Sequence, residues 1–340
     1  MASIYDVAKA AETSIATVSY VLNKSNRVSQ ATTERVLQAI KDLNYQPKAS
    51  AKALASGRTL TITLVAPISI YAHQASLYSL INGIGRTLES TDYRLFIHPT
   101  LNRPGSLMEL EATIRSHQMD GVILMHVAQN DPRVILLTQN NIPFVVIGRC
   151  ENDQDLSWVD ADVDATIDTC ISHLVEKGHQ RIGMLGEHSD ANITTRLITG
   201  FERSVKQHGL KFTQAHCIEF PEDPIEINQT ISACLQLQER PTAFFAVSDL
   251  AVLGIYNAAT KLGLRIPEDI AVVGYADSPL YAFMSPPCSA VFGKAFELGK
   301  TSASILITKM GGEEPVNNQV LLPPQLIERR SSDFYRQPHS

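Results

Sequence analysis

Three short helical patterns of apolar residues occupy the first 45 positions of the chain. The apolar positions of the first pattern are Ile4, Val7, Ala8 and Ala11. Those of the second are Ile15, Val18, Val21 and Leu22. Those of the third, after Ser29, are Val36, Leu37, Ile40 and Leu43. Because spacings of three and four residues mark one face of a helix, we predict three helices, the first two joined by a tight turn at residues 12–14.

The second of these patterns has the features of a DNA-binding helix. Ser14 stands at its N-cap position, where a hydroxyl can accept a hydrogen bond from a free helix amide. The exposed positions are small or neutral: Ile15, Ala16, Thr17, Ser19, Tyr20 and Asn23. Two helices joined by a tight turn form a helix-turn-helix, whose second helix enters the major groove. Periodicity alone also allows a small helical cap on a globular domain.

Charge separates the N-terminal segment from the remainder of the chain. Residues 1–60 contain eight Lys or Arg and four Asp or Glu, a net charge of +4. Since the whole chain carries −6, residues 61–340 carry −10. Affinity for DNA comes mainly from neutralising phosphates, so this distribution favours DNA binding by the N-terminal segment alone.

After residue 58, apolar runs alternate with helical patterns. The predicted strands are residues 59–67, 93–99, 121–127, 143–149, 181–187, 242–248 and 270–276. The predicted helices are residues 76–91, 106–118, 165–179, 195–209, 228–239, 249–263 and 295–310. This alternation indicates an α/β fold with doubly wound parallel sheets. A break near residues 150–160 divides the strands into two subdomains, and ligands of such folds bind in the crevice between them.

Several other classes of protein fit the composition poorly. No run of about 18 apolar residues is present and Asp6 and Lys9 interrupt the N-terminus, so we expect a cytoplasmic, nucleoid-associated protein without membrane contact. Five cysteines without CxxC spacing favour buried thiols over disulfides or a zinc site. The one GxG, at Gly83 and Gly85, lies in a helical pattern and favours helix packing over dinucleotide binding. We therefore expect no enzyme, cofactor or metal.

Nine segments, in order along nearly the whole chain, resemble the LacI/GalR family of bacterial transcription regulators. They are IYDVAKAA, SIATVSYVLN, RVSQATTERVLQAIKDLNYQP, ALAS, DGVIL, HLVEKGHQRIGMLG, SDLAVLG, IPEDIAVVGYAD and LLPPQLIERRSS. The resemblance implies a helix-turn-helix, a hinge helix and a core like that of periplasmic sugar-binding proteins. It also implies a homodimer on a palindromic double-stranded DNA operator, controlled by a small-molecule effector that is a sugar or a related metabolite. A solute-binding protein of a transport system with a regulatory head is the alternative.

The resemblance implies the following domain limits. The helix-turn-helix takes residues 1–47, the hinge helix 48–58, the core 59–334 and a tail 335–340. Within the core, the N-subdomain takes residues 59–158 and 291–318, and the C-subdomain takes residues 159–288 and 320–334. Three segments of chain should therefore cross between the subdomains.

Positions that contact DNA in the family can be assigned residue by residue. Base contacts fall on Ile15, Ala16 and Tyr20, and Arg is frequent where Tyr20 stands. Phosphate contacts fall on Tyr5, Ser14, Thr17, Ser19 and Asn23, which would fix the register without specifying sequence. Lys52 lies in the hinge, and Leu54 matches the leucine that wedges into the central minor-groove step. The turn glycine of the family is Glu12 here, a departure that should either strain the turn or shift its geometry slightly.

Effector-binding positions match the family less well. Polar anchors of sugar-responsive members are replaced by Gly148, Leu197, Ser248 and Ala276. Arg196 lies one residue out of register. The candidate effector-binding residues are therefore Tyr71, Arg149, Arg196, Ser248, Asp249, Tyr275, Asp277 and Phe292, with Asp249 alternatively capping the helix that follows it.

Overall fold

A computed structural model describes most of the chain. The described residues are 2–22, 27–45, 58–67, 74–100, 106–116, 118–150, 153–187, 192–212, 217–220, 223–276 and 278–333. The contacts divide the chain into two units, Met1–Leu60 and Thr61–Ser340. The predicted hinge and the predicted tail lie outside the described residues, apart from Arg58.

In its described residues, 2–22, 27–45 and 58–60, the N-terminal unit contains three helices, as the apolar spacing predicts. They are α1 (Ile4–Ala10), α2 (Ile15–Leu22) and α3 (Gln30–Asp42). Ser3 and Asp6 form a capping box on α1, and Ser29 caps α3. These caps satisfy helix amides that have no partner within the helix, which matters most for helices this short. The buried core of the unit consists of Val7, Ala8, Ala11, Val18, Val21, Val36, Ala39 and Tyr45.

The first sheet of the second unit contains six parallel strands. In chain order they are β1 (Thr61–Pro67), β2 (Arg94–Thr100), β3 (Gly121–Met125), β4 (Phe144–Ile147), β5 (Trp158–Ala161) and β11 (Gln319–Leu322). Their order in the sheet is β11-β5-β4-β3-β1-β2. The accompanying helices are α4 (Gln74–Leu88), α5 (Ser106–Arg115), α6 (Pro132–Gln139) and α11 (Ala295–Met310). This sheet and these helices make up the N-subdomain.

Helices α4 and α11 of the N-subdomain pack closely through glycines. A Cβ added to Gly83 would lie 2.0 Å from the carbonyl oxygen of Phe296, and one added to Gly299 would lie 2.1 Å from that of Leu80. Neither position can therefore carry a side chain without moving a backbone. The prediction that this GxG serves helix packing is confirmed at Gly83, whereas Gly85 has open space around it.

The second sheet also contains six strands, five of them parallel. The strands are β6 (Ile182–Glu187), β7 (Cys217–Phe220), β8 (Ala243–Ala246), β9 (Ala271–Gly274), β10 (Ser289–Phe292) and β12 (Gln325–Ile327). Their order is β12-β10-β9-β8-β6-β7, with β12 antiparallel to β10. The helices are α7 (Val163–Glu176), α8 (Asn192–Gln207), α9 (Pro224–Leu235) and α10 (Asp249–Leu262). This sheet and these helices make up the C-subdomain.

Three segments cross between the sheets, at different residues from those predicted. The crossings follow β5, β10 and β11, whereas the predicted N-subdomain ended at residue 158, resumed at 291 and ended again at 318. The predicted limits are a few residues early because each of these short strands completes its own sheet before the chain crosses. Polar residues such as Asp160 interrupt the apolar runs that would have revealed these strands.

Three of the five cysteines lie in the core of the C-subdomain. Cys170, Cys234 and Cys288 are buried, as predicted, whereas Cys150 and Cys217 are half-buried. All five thiols are free. Burial raises the pKa of the Cys234 and Cys288 thiols to about 11, so both stay protonated and act as small apolar side chains.

Candidate nucleic-acid interface and effector crevice

The start of α2 is fixed by its N-cap. The Ser14 hydroxyl accepts a hydrogen bond from the Thr17 amide at 3.1 Å and lies 2.9 Å from the Thr17 hydroxyl. The prediction of an N-cap at Ser14 is therefore confirmed. Ser14 and Thr17 thus contact each other at the N-terminus of α2. The free backbone amides at a helix N-terminus suit this position to binding a phosphate.

The outer face of α2 holds the predicted base-contacting residues. Val18 and Val21 face the core of the unit, so Ala16 and Tyr20 lie on the opposite side of the helix. Ile15, Ala16 and Tyr20 are exposed. Such an arrangement leaves a mostly apolar, uncharged surface that can approach base edges closely.

The predicted phosphate-contacting residues differ from one another in their exposure to solvent. Tyr5 on α1 is 69% exposed and Ser14 is exposed, whereas Thr17 and Ser19 are half-buried. Asn23, Lys52 and Leu54 lie outside the described residues. The structure therefore gives positions for seven of the ten DNA-binding residues assigned by resemblance: Tyr5, Ser14, Ile15, Ala16, Thr17, Ser19 and Tyr20.

Glu12 adopts the backbone conformation that the turn requires of a glycine. Its φ is 49°, in the left-handed region, where a side chain with a Cβ is disfavoured by about 1–2 kcal/mol. The expected strain in the turn is therefore present. Glu12 is also one of the four acidic residues in a unit of positive net charge.

Arg27 is a residue of this surface that the sequence analysis missed. It is exposed, and its Cζ lies 5.8 Å from the centre of the Tyr20 ring. A cation at this distance over an aromatic face is attracted by the negative face of the ring. Arg27 lies seven residues after Tyr20 and beyond the end of α2 at Leu22, so helical spacing does not predict this contact.

The second candidate site lies at the carboxyl ends of the parallel strands, where ligands of doubly wound folds bind. Arg149 follows β4, Ser248 follows β8 and Tyr275 follows β9. Arg196 lies in α8 of the C-subdomain, and its Nη1 donates a hydrogen bond to Oδ2 of Asp160 in β5 at 2.6 Å. This contact connects the two subdomains and brings a carboxylate, not predicted from the sequence, into the crevice.

Burial and neighbouring charges both shift the pKa values of this group of side chains. Burial raises the pKa of the Asp160 carboxyl, and Arg196 and Arg149 oppose that rise. Burial likewise raises the pKa of Tyr275, and the carboxylate of Asp160 raises it further. Asp160, Arg149, Arg196 and Tyr275 are therefore close enough to influence one another, and together they offer donors and an acceptor for a polar ligand.

Arg149 is held on the N-subdomain side of the crevice. Its guanidinium forms an ion pair with Asp153, which raises the Arg149 pKa, and its Cζ lies 4.1 Å from the centre of the Trp158 ring. The carbonyl of Arg149 accepts a hydrogen bond of 2.6 Å from Nδ2 of Asn192, the first residue of α8. The Asn192 amide donates to the carbonyl of Val127 at 3.1 Å. The start of α8 thus contacts the N-subdomain at two further points.

Ser248 has the capping role that was an alternative for Asp249. Ser248 is buried, and its hydroxyl accepts a hydrogen bond from the Ala251 amide at 3.2 Å as the N-cap of α10. The same oxygen keeps a second lone pair and its own proton, so Ser248 stays a candidate for effector binding. Asp249 is not the cap, because it is already the first helical residue of α10 and is half-buried.

The remaining effector candidates cannot be placed in the same way. Tyr71 and Asp277 lie outside the described residues, and Phe292 is described only as the last residue of β10. Among the residues that are described, no group of three or more His, Cys, Asp or Glu side chains is arranged to bind a metal. None of the described helices is long and apolar enough to span a membrane.

Comparison with known proteins identifies the family. The model of bacterial regulatory proteins of the lacI family matches residues 3–48, and that of a periplasmic binding protein-like domain matches residues 171–332. The ribose operon repressor of Escherichia coli is 31% identical over 337 residues, 98% of this chain and 100% of the relative. The chain belongs to the LacI family. The HTH-type transcriptional repressor PurR of Haemophilus influenzae is 31% identical over 336 residues, 97% of this chain and 98% of the relative.

A solved structure agrees with this assignment. The transcriptional regulator CelR in complex with cellobiose has a TM-score of 0.73 and 26% identity, covering 97% of this chain and 100% of that one. As a LacI-family member, the protein is a sequence-specific DNA-binding transcriptional regulator controlled by a small-molecule effector. Two local features of this chain are the positive φ of Glu12 in the turn and the Asp160–Arg196 pair between the subdomains.

Proposed function

We propose that this LacI-family protein is a homodimeric repressor that binds a palindromic operator and changes its affinity for DNA when a metabolite enters the crevice. The observation that carries the proposal is the contact between Arg196 of the C-subdomain and Asp160 of the N-subdomain. A ligand bound among these side chains would have to rearrange that contact. Its binding energy would therefore act on the relation between the subdomains, as a regulator requires.

The effector that we propose is a sugar or a closely related polyhydroxylated metabolite. Hydroxyl groups both donate and accept, so they can bind the Asp160 carboxylate and the guanidinium of Arg196 together. Two relatives support this class, one named as a ribose operon repressor and one solved with cellobiose. Arg149 and Tyr275 complete the described part of the site. Tyr71, Asp277 and Phe292 stay proposed from the sequence alone.

On the DNA side, α2 supplies the base contacts through Ile15, Ala16 and Tyr20. Ser14, Thr17, Ser19 and Tyr5 hold phosphates, and sequence resemblance adds Asn23, Lys52 and Leu54. Exposure supports the base-contacting assignment, because all three side chains are exposed on α2 while Val18 and Val21 face the core of the unit. The positive charge of residues 1–60 supports phosphate binding by the same unit.

The proposal includes no catalytic step and places the protein at its operator in the cytoplasm. The crevice holds an ion pair and a tyrosine, Tyr275, whose pKa is raised by burial. A phenol held protonated serves hydrogen bonding rather than nucleophilic attack.

The test is a pair of measurements on the full chain. Thermal stability is followed with ribose, cellobiose and their phosphorylated forms, because a ligand of the native state raises the unfolding temperature. Operator binding is then titrated with and without any sugar that stabilises the protein. We expect one sugar class to stabilise the protein and to change operator affinity, and Asp160→Asn to abolish both effects.

A matched variant keeps the result specific to the crevice. Arg203, on α8 like Arg196, pairs with Asp164 of α7 at the surface. Arg203→Ala should keep the response to the sugar. A response that survives Asp160→Asn, or a protein that turns over the sugar, would contradict the proposal.

A further inference from the structure

We propose that Arg27 specifies a guanine in each half-site and that Tyr20 is the platform that holds its guanidinium in place. The proposal rests on the DNA-binding function and assigns a base contact to a residue outside the recognition helix. It starts from the distance of 5.8 Å between the Arg27 Cζ and the centre of the Tyr20 ring.

The position of Tyr20 places this pair on the face of α2 that meets the bases. Tyr20 is one helical turn after Ala16, so both lie on the side of the helix opposite Val18 and Val21. The ring is 40% exposed, so its surface is available to a guanidinium. Arg27 lies outside α2, before α3, but its guanidinium is held over the Tyr20 ring and therefore lies near the outer face of α2.

Arg27 is also free to bind a base. Within the described part of the chain, no carboxylate pairs with it, and its Cζ lies over the Tyr20 ring. Attraction between a cation and a ring uses no hydrogen-bond donor, so the N–H groups of the guanidinium remain available. The O6 and N7 atoms of guanine accept two such N–H groups in the major groove.

The outer face of α2 lacks a side chain that could bind guanine through two donors. The residues of its outer face, Ile15, Ala16 and Tyr20, include no cation, and none of them offers two parallel donors. Arg27 supplies the missing guanidinium from the neighbouring segment. An arginine that bound only a phosphate would have no need of a ring on the base-contacting face.

The test is selection of binding sites from random duplex DNA by the full chain, followed by affinity measurements at each half-site position. For wild type we expect a guanine preference at one position of each half-site. Arg27→Ala should reduce that preference by about tenfold to a hundredfold and leave affinity for sites with other bases there nearly unchanged. Tyr20→Phe should retain the preference, because the ring is kept, whereas Tyr20→Leu should weaken it at the same position.

Controls distinguish the possible failures. Arg35 is an exposed arginine of the same unit, in α3, and Arg35→Ala should leave the base preference unchanged. If Arg27→Ala weakens all sequences equally and reduces the slope of log affinity against log salt by about one, Arg27 binds a phosphate and the proposal is wrong. If Tyr20→Leu and Arg27→Ala alter different positions, the two residues do not act together and the proposal is also wrong. Absence of DNA binding by wild type would instead contradict the proposed function.

Discussion

Arg196 of α8 and Asp160 of β5 form a 2.6 Å ion pair that joins the two subdomains of the core. The Asp160 side chain is only 6% exposed and that of Arg196 24% exposed, so the pair is largely removed from water. Burial favours the neutral form of Asp160, and Arg196 favours the charged form. The pair therefore joins the two subdomains inside the crevice where we propose that the effector binds.

Removal of Arg196 should destabilise the core. Arg196→Ala leaves the Asp160 carboxylate buried without its main partner, and we expect the free energy of unfolding at pH 7 to fall by about 3 kcal/mol. Urea denaturation followed by the fluorescence of Trp158, the one tryptophan of the chain, measures it. The exposed pair Arg203–Asp164 is the control, and Arg203→Ala should cost less than about 1 kcal/mol.

Acid should reduce the effect of the Arg196 substitution. Because burial raises the Asp160 pKa, the carboxyl becomes protonated at a higher pH than in the unfolded chain, and its buried charge then disappears. The difference in stability between wild type and Arg196→Ala should therefore narrow as the pH falls from 7 towards 4. A difference that is constant over this range would mean that the charge of Asp160 is not the cause.

His179 should make the C-subdomain sensitive to acid. Its ring is buried, and its Nδ1 lies 3.0 Å from the Thr242 hydroxyl. Burial, with a smaller contribution from His173, lowers the pKa of His179 to about 4. The unfolded chain binds a proton at this position near pH 6.5, whereas the folded chain does so only near pH 4. Stability should therefore be full above pH 6.5 and fall progressively as the pH drops to 4, by up to about 3 kcal/mol.

The variant His179→Gln isolates this contribution. Its free energy of unfolding should depend less on pH between 6.5 and 4 than that of wild type, with part of the slope retained by His173, whose pKa burial also lowers. Parallel curves for the two proteins, from urea denaturation at several pH values, would exclude His179 as a source of acid sensitivity.

Relief of the strained turn should stabilise the N-terminal unit. Glu12 has a φ of 49°, so Glu12→Gly should stabilise α1 and α2 by about 1 kcal/mol. Hydrogen exchange of the buried Val18 amide on the full chain measures this stability locally. Glu12→Ala removes the charge but retains a Cβ, and it should leave the exchange rate nearly unchanged. Equal protection in the glycine and alanine variants would show that the turn stores no strain.

The sequence predicts strands and helices where a continuous apolar run or a helical spacing of apolar residues extends over the whole element. β1, β3 and β4 are apolar runs buried on both faces, and α2 has clear apolar spacing with a serine cap. β5 escaped prediction because Asp160 lies within its four residues, although all four are buried. A carboxylate in a buried strand is stable only with a partner distant in sequence, here Arg196, and local patterns do not contain that information.

The residues of the candidate sites likewise include some that the sequence indicates and some that only the structure shows. Helical spacing within eight residues predicts the exposed face of α2, and the family resemblance assigns base contacts to Ile15, Ala16 and Tyr20 on it. Arg27 and Asp160 act through contacts with Tyr20 and Arg196 that depend on how the elements pack. Ser248, a candidate for effector binding, is also the cap of α10, and the sequence did not show this second role because the same hydroxyl chemistry suits both.

The most direct test of the account is selection of binding sites from random duplex DNA by wild-type protein, with affinity for the selected site measured between 50 and 200 mM salt, a range in which phosphate contacts dominate. We predict an inverted repeat of roughly 14 to 20 base pairs, bound by two copies of the chain. Affinity should fall by about 10³-fold or more across that salt range. Recovery of no common sequence, or of a single unrepeated site bound by one copy without salt dependence, would contradict the claim that this chain is a dimeric operator-binding regulator.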